Sequence, residues 1–359
     1  RMAPAERKKV LHRIAGLIEV HHAELAVLGV RDNGTEIAMA WKAEPGSAAA
    51  TFHYYAECVD KVNGEIAPTP DGILGLIHKE PVGVVAAIVP WNFPLMIGAW
   101  KMAPALAAGN SVVLKPSEDA SLSLLRLAQL CLDAGLPPGV LNVVTGTGAE
   151  TGEALARHGD VDILTFTGSG PVGRLLLKAS AESNLKRVYL ELGGKSPHLV
   201  FEDANLELAA TTVVRGIIQN TGQTCTAGSR LLVQQSIHDK FVALVADKFK
   251  QVRVGTPEMN LDCGPVVNLN QQARVNRFIQ QAKDSGLPLL AQGQIDQGVP
   301  KAGYYVTPTL FGHVPPEHPL AQEEVFGPVL AAMPFDDEAH AIALANGTHY
   351  GLLAAVWTE

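Results

Sequence analysis

The chain has 359 residues, of which 47% are hydrophobic and 18% charged, and a formal net charge of −8. That composition excludes a disordered polymer, and the acidic balance argues against a nucleic-acid partner. At this length a single hydrophobic core no longer suffices, so two or more domains are expected.

No apolar run approaches the roughly 18 residues that cross a bilayer, no basic helix suggests a membrane surface, and the first residues lack a signal-peptide pattern. Four cysteines without CxxC spacing point to free thiols in a reducing compartment, so a cytoplasmic protein without a zinc site is expected. The chain begins at Arg1 without an initiator Met and stops at Thr358-Glu359, just past a strand-like run from Leu352 to Trp357. Both ends look truncated.

From Pro4 to Gly29 apolar residues recur at helical spacing (Val10, Ile14, Leu17, Ile18, Leu25, Leu28), and a second helix is expected from about Ser47 to Val62. His21 and His22 are neighbours on the first helix and so face apart, which argues against a metal pair. Thr69-Pro70-Asp71-Gly72 is a turn signal between Glu65-Ile66-Ala67 and Ile73-Leu74-Gly75-Leu76-Ile77, which predicts a hairpin.

After Gly83, β-rich runs (Val84–Ile88, Ser111–Leu114, Leu141–Val144, Ile163–Phe166, Val188–Leu190) alternate with helical stretches, notably Pro94–Ala108 and Ser121–Ala134. This alternation predicts an α/β fold with a doubly wound, Rossmann-like parallel sheet and ligands at the carboxyl ends of its strands. The first strand runs into Val89-Pro90-Trp91-Asn92-Phe93-Pro94. An amide at Asn92 can aim its N–H₂ at a developing oxyanion, or it can satisfy a local turn. The second strand runs into Lys115-Pro116-Ser117-Glu118. A carboxylate at Glu118 can accept from both adenosine ribose hydroxyls and would repel a 2′-phosphate, which favours NAD, whereas the ammonium of Lys115 leaves NADP open.

Gly146-Thr147-Gly148-Ala149-Glu150-Thr151-Gly152 has one residue too many for the dinucleotide fingerprint and reads as a wall of the adenine pocket. Phe166-Thr167-Gly168-Ser169 ends another strand and opens a helix, where backbone N–H groups and the Ser169 hydroxyl can meet a pyrophosphate. In Val188-Tyr189-Leu190-Glu191-Leu192-Gly193-Gly194-Lys195-Ser196-Pro197 an apolar run reaches a carboxylate and breaks at two glycines. Glu191 should therefore end a buried strand and face a cleft, where a raised pKa suits a general base.

Beyond Pro197 a second unit is expected: strand His198–Phe201, helix Leu206–Gln219, strand Arg230–Gln234 and helix His238–Val252. Between its first helix and second strand lies Asn220-Thr221-Gly222-Gln223-Thr224-Cys225-Thr226-Ala227-Gly228-Ser229, a tight loop entering a strand with a lone Cys. Cys58, Cys131 and Cys263 fit the small buried hydrophobe that free Cys usually is, whereas Cys225 is a candidate nucleophile. A thiol of pKa near 8.5 is only about 3% thiolate at pH 7, so a base must activate it.

Taken together, Glu-Leu-Gly-Gly-Lys-Ser-Pro at 191–197 and Gly-Gln-Thr-Cys-Thr-Ala-Gly-Ser-Arg at 222–230 resemble the aldehyde dehydrogenase superfamily. The resemblance covers essentially the whole chain, and its details are nearest to members acting on γ-glutamyl-aminobutyraldehyde and other aminoaldehydes, with betaine-aldehyde or broad aliphatic activity open as alternatives. It implies oxidation of an aldehyde to an acid with NAD or NADP through a Cys225 thioester, Glu191 as general base, and an oxyanion hole of Asn92 and the Cys225 backbone N–H. Lys101, in the matching Trp100-Lys101 pair, is implied in relaying the proton.

The cofactor contacts it implies include Pro90, Trp91, Ser169 and Gly193, with Glu324 on the nicotinamide ribose and Phe326 flanking the ring, besides Lys115, Ser117, Glu118, Gly146, Gly148, Phe166, Thr167 and Gly168. The domains implied are a cofactor domain of 1–62 and 83–192, an oligomerisation hairpin of 63–82 that makes a homodimer or homotetramer, and a catalytic domain of 193–359 incomplete at its C-terminus. Two other readings remain: an inactive or structural fragment of the family, and a non-redox cysteine hydrolase or acyltransferase, against which the absence of His near the Cys loop speaks.

Overall fold

The computed structural model describes residues 2–359 and divides into two compact units: residues up to Asp32 with Met39–Glu191, and Asn33–Ala38 with Leu192–Glu359.

In the first unit the run read as one helix is two, α1 (Pro4–Val20) and α2 (His22–Asn33), broken at His21. Helix α3 (Ile37–Cys58) starts well ahead of the expected Ser47 and ends ahead of the expected Val62, and it runs through Pro45, which is buried inside it. Leu11, Ile14 and Ile18 of α1 share one core with Phe52 of α3. The hairpin is present as β1 (Glu65–Ala67) and β2 (Gly75–Ile77), antiparallel with Glu65 opposite Ile77, and Ile66, Leu74 and Leu76 on it are exposed.

The sheet of this unit is built from β3 (Val84–Ile88), α4 (Pro94–Ala107), β4 (Ser111–Lys115), α5 (Leu122–Asp133), β5 (Leu141–Val143), α6 (Glu153–Arg157), β6 (Ile163–Thr167), α7 (Gly170–Ala181) and β7 (Arg187–Glu191). Its order is β5-β4-β3-β6-β7 with every pair parallel. The winding reverses between β3 and β6, and the crevice beyond the carboxyl ends there is the ligand position of a doubly wound sheet.

The second unit comprises β8 (Pro197–Val200), α8 (Leu206–Ile218), β9 (Arg230–Gln234), α9 (His238–Lys250), β10 (Arg253–Val254), α10 (Leu269–Asp284), β11 (Leu289–Gln292), β12 (Gln294–Ile295), β13 (Thr309–Phe311), α11 (Pro319–Gln322), β14 (Val329–Phe335), α12 (Glu338–Ala345) and β15 (Ala355–Trp357). Its main sheet has the order β11-β13-β14-β9-β8-β15, and only β11 runs antiparallel to its neighbour. Strand alternation feeds two cores: Leu231 and Val233 pack with α8 and α9, while Leu232 packs with Val275 and Phe278 of α10. Burial on both faces explains why these strands read as continuous apolar runs. Asn33–Ala38 belongs to this unit, where the Gly264 N–H donates to Glu36 Oε1 at 2.7 Å.

Strands β14, β9 and β8 are adjacent and parallel, so the chain enters all three from one edge of the sheet. The segments just before them hold Glu324–Pro328, Cys225 and Gly193–Ser196, and the sheet order thereby gathers three motifs that are far apart in sequence. Among the described residues no helix is long and apolar enough to cross a membrane.

Candidate active site

On the first unit the expected residues sit where strands end. Lys115 closes β4, is 2% exposed, and donates from Nζ to Glu118 Oε2 at 3.0 Å. Partial burial tends to raise the Glu118 pKa, but its own N–H, the Lys115 ammonium and the Gly148 N–H outweigh that and hold it below the ordinary carboxylate value. Glu118 is thus ionised at neutral pH. The Ser117 Oγ accepts from the Asp119 N–H at 3.3 Å, tightening the same turn.

Gly148–Gly152 forms a single π-helical turn capped by Thr147, whose Oγ1 accepts from the Glu150 N–H, and it leads into the five-residue α6. Gly146 has φ +137° and faces Thr151, so a side chain has neither the conformation nor the room there.

After β6, Phe166 and Thr167 are followed by Gly168, where a Cβ would come within 2.4 Å of the Phe166 ring, and by Ser169, the N-cap residue of α7. The Ser169 hydroxyl makes no capping bond, and the first-turn N–H groups of α7, of which Pro171 has none, lie at a helix end that suits an anion. The Gly168 N–H donates to the Glu191 carbonyl at 3.0 Å.

After β3, Pro90 and Trp91 are half-buried and Asn92 is buried just ahead of α4. From α4, Lys101 donates to Thr165 Oγ1 on β6 at 3.0 Å. Burial pulls its pKa down to about 8, against the opposing pull of the Glu191 carboxylate. Glu191 ends β7 opposite Thr167, but β7 is the half-exposed edge strand of its sheet and not the buried strand expected, because it has a neighbour on one side only.

The residue missed in the sequence is Glu44. It is fully buried in α3, its Oε2 accepts from the Met96 N–H at 2.8 Å, and burial pushes its pKa up to about 8 despite the Met96 and Leu95 amides. It caps the first turn of α4. The available signal was a lone Glu in an Ala-rich helix, which by itself marks nothing.

On the second unit the Cys225 loop begins with three residues in the left-handed region: Asn220 (φ 47°), Thr221 (φ 55°) and Gly222 (φ 72°). Non-glycine residues there cost on the order of 1 kcal/mol each and persist only when their surroundings fix them. The fixings are visible: Thr221 Oγ1 donates to the Gly264 carbonyl at 2.9 Å, and buried Gln223 accepts from the Val267 N–H at 2.9 Å while donating to the Asn220 carbonyl at 3.1 Å. Cys225 itself is half-buried.

Two glycines let its neighbours close in. A Cβ on Gly194 would lie 2.6 Å from the Cys225 carbonyl oxygen, and one on Gly193 would lie 2.3 Å from Glu324 Oε2. Glu324 Oε1 accepts from the Gly194 N–H at 3.1 Å, and burial raises the Glu324 pKa against that bond and against Lys195. Phe326 (φ 59°) follows, its carbonyl held by Gln271 Nε2 at 2.7 Å. A small cleft is lined by Gly194, Thr224, Glu324 and Phe326. Lys195, quoted in the sequence motif without a role, is buried with no partner for Nζ, and burial first, then Arg230, lower its pKa to about 7.

A half-buried thiol on an over-determined loop whose backbone rests on Gly194 suits covalent catalysis on a carbonyl. The model of the aldehyde dehydrogenase family matches residues 1–359. The chain belongs to the aldehyde dehydrogenase family. It is 48% identical, over 99% of its own length and 72% of the relative's, to the NADP/NAD-dependent aldehyde dehydrogenase PuuC of Escherichia coli.

Among solved structures, the P. syringae indole-3-acetaldehyde dehydrogenase AldA, in complex with NAD+, matches all of this chain and 72% of its own with a TM-score of 0.96 and 47% identity. A γ-glutamyl-γ-aminobutyraldehyde dehydrogenase from Burkholderia cenocepacia matches likewise, all of this chain and 72% of its own, with a TM-score of 0.95 and 46% identity. The aldehyde dehydrogenase fold and an NAD(P)-dependent oxidation of aldehyde to acid follow for this chain. The polar groups on its own strand ends fit the cofactor: an ionised carboxylate that accepts hydrogen bonds beside a buried lysine, and a helix N-terminus behind a glycine that admits no side chain.

Proposed function

We propose that this aldehyde dehydrogenase acts through Cys225 on aliphatic aldehydes bearing an amino or amide group, with NAD preferred over NADP. The observation that carries the reading is the strained, multiply fixed Cys225 loop seated on Gly194 in a chain whose full length matches the family. Glu118 and Lys115 hold the adenosine ribose beside Ser117, Gly146 and Gly148. Gly168 and Ser169, after Phe166 and Thr167, meet the pyrophosphate, while Glu324, Gly193 and Phe326 serve the nicotinamide riboside and Pro90 and Trp91 line the same site. The bound cofactor supplies a hydride acceptor.

The chain supplies the rest. The Cys225 thiolate adds to the carbonyl carbon, and the resulting alkoxide accepts hydrogen bonds from the Asn92 amide and the Cys225 N–H. Once the substrate carbon is oxidised a thioester remains. Glu191 deprotonates a water that adds to it, the C–S bond breaks, and the acid leaves as the thiolate is restored. Lys101 passes the proton on; its lowered pKa, about 8, supports that role. The amino-aldehyde preference is supported by the 46% identical Burkholderia relative.

We assign residues 1–62 and 83–192 to the cofactor domain and 193–359 to the catalytic one. The exposed apolar hairpin of 63–82 suits pairing with a second copy in a homodimer or homotetramer. Four free thiols support a cytoplasmic setting.

NADH formation at 340 nm with NAD and a panel of aliphatic, amino- and indole-type aldehydes tests this. Activity should be greatest on amino-aldehydes and fall at least about 10³-fold in Cys225→Ala, with NAD binding retained. Undiminished turnover in Cys225→Ala would overturn the covalent route, and a preference for plain or indole-type aldehydes would overturn the substrate class.

A further inference from the structure

The connection after β13 returns to the start of α9 and brings together three side chains that the oxidation of an aldehyde does not use. His238 and Asp239 are the first two residues of α9, and His313 stands two residues beyond β13. One donor atom from each lies within 4.8 Å of the other two. His238 is 1% exposed, and its ring centroid is 4.8 Å from that of His313 at an interplanar angle of 41°. Its Nδ1 lies 2.9 Å from Asp239 Oδ1, and its Nε2 is buried without a hydrogen-bond partner.

Burying a ring nitrogen unsatisfied is unfavourable, and neither nitrogen of this imidazole is spent on a backbone group. Two imidazoles and one carboxylate are the donor set of zinc-like ions, whereas calcium or magnesium would call for oxygens alone. Donors about 2.0–2.1 Å from a tetrahedral ion stand roughly 3.3 Å apart. His313 and Asp239 are exposed and free to close that gap, while buried His238 is the fixed anchor.

We propose that His238, Asp239 and His313 bind one divalent transition-metal ion of the zinc, cobalt or nickel kind, with water completing its shell, and that the ion pins the start of α9 to the β13–β14 connection. The site is a structural staple within the second unit. It takes no part in the chemistry at Cys225, and it stands whether or not the substrate assignment does.

Co²⁺ titration of the purified chain, followed by absorption, with melting curves in Zn²⁺, tests the proposal. One equivalent of Co²⁺ should give d–d bands without a thiolate charge-transfer band, and Zn²⁺ should raise the Tm. His313→Ala, an exposed change compatible with folding, should weaken Co²⁺ binding at least about tenfold and abolish the Tm rise while leaving NADH production intact. Asp239→Asn should weaken binding about tenfold. Unchanged Co²⁺ affinity in His313→Ala, a thiolate band, or no saturable binding would each overturn it.

Discussion

The two units carry their candidate loops at opposite ends of their sheets. On the first, the loops after β3, β4 and β6 leave the carboxyl ends of strands, and their non-glycine residues keep ordinary backbone angles. On the second, the loops before β8, β9 and β14 enter the amino ends, and Asn220, Thr221 and Phe326 are left-handed. Binding a dinucleotide needs amides and a carboxylate in fixed directions, which strand ends and a helix start provide without strain. Presenting a nucleophile needs a backbone held where it would not otherwise rest, so the surroundings must over-determine it.

The sharpest way to break this comparison is at the oxyanion. Asn92→Ala should lower kcat by about 10²–10³-fold, some 2.7–4 kcal/mol of transition-state stabilisation, with NAD affinity little changed. Equal losses in kcat and NAD affinity would place Asn92 in binding instead. A pair of glycines contrasts the two loop types. Gly222, at φ +72° with a Cβ position 2.2 Å from the Gly327 carbonyl carbon, should lose about 3 kcal/mol of stability on change to Ala, as read by urea unfolding. Gly148 has open space and no special angle, and Gly148→Ala should stay within about 0.5 kcal/mol.

Lys101 is testable by pH. Its folded pKa of about 8 lies below the ordinary lysine value of 10.5. The unfolded chain therefore binds more protons between those values, and stability should rise with pH across that window and not in Lys101→Met. The same variant should lower kcat about tenfold and erase the inflection near pH 8. The smallest effect is expected at Glu118→Gln, which should weaken NAD a few-fold and narrow its advantage over NADP in kcat/KM, since the carboxylate that repels a 2′-phosphate is gone.

Much of this was legible in the chain. The strands from β3 to β9 lie within a residue or two of where alternation put them, because each is short, apolar and bounded by turn chemistry. The Cys loop reads as a loop entering a strand. What was not legible depended on tertiary contact. Helix α3 runs through Pro45 because burial overrides a local breaker, and His21 breaks a helix without any Gly or Pro to announce it. Glu44 and Lys195 look like surface charges in sequence, and only packing shows them buried with displaced pKa values. Periodicity likewise says nothing about which strands are neighbours. The convergence of Glu324, Cys225 and Gly193 rests on the order β14-β9-β8.

The bond from the Gly168 N–H to the Glu191 carbonyl carries one more consequence. It ties the turn after β6 to the last peptide of β7, so a displacement of one is felt by the other. A cofactor that settles on Gly168 and Ser169 would remove motional freedom from the anchor of the carboxylate before any aldehyde arrives.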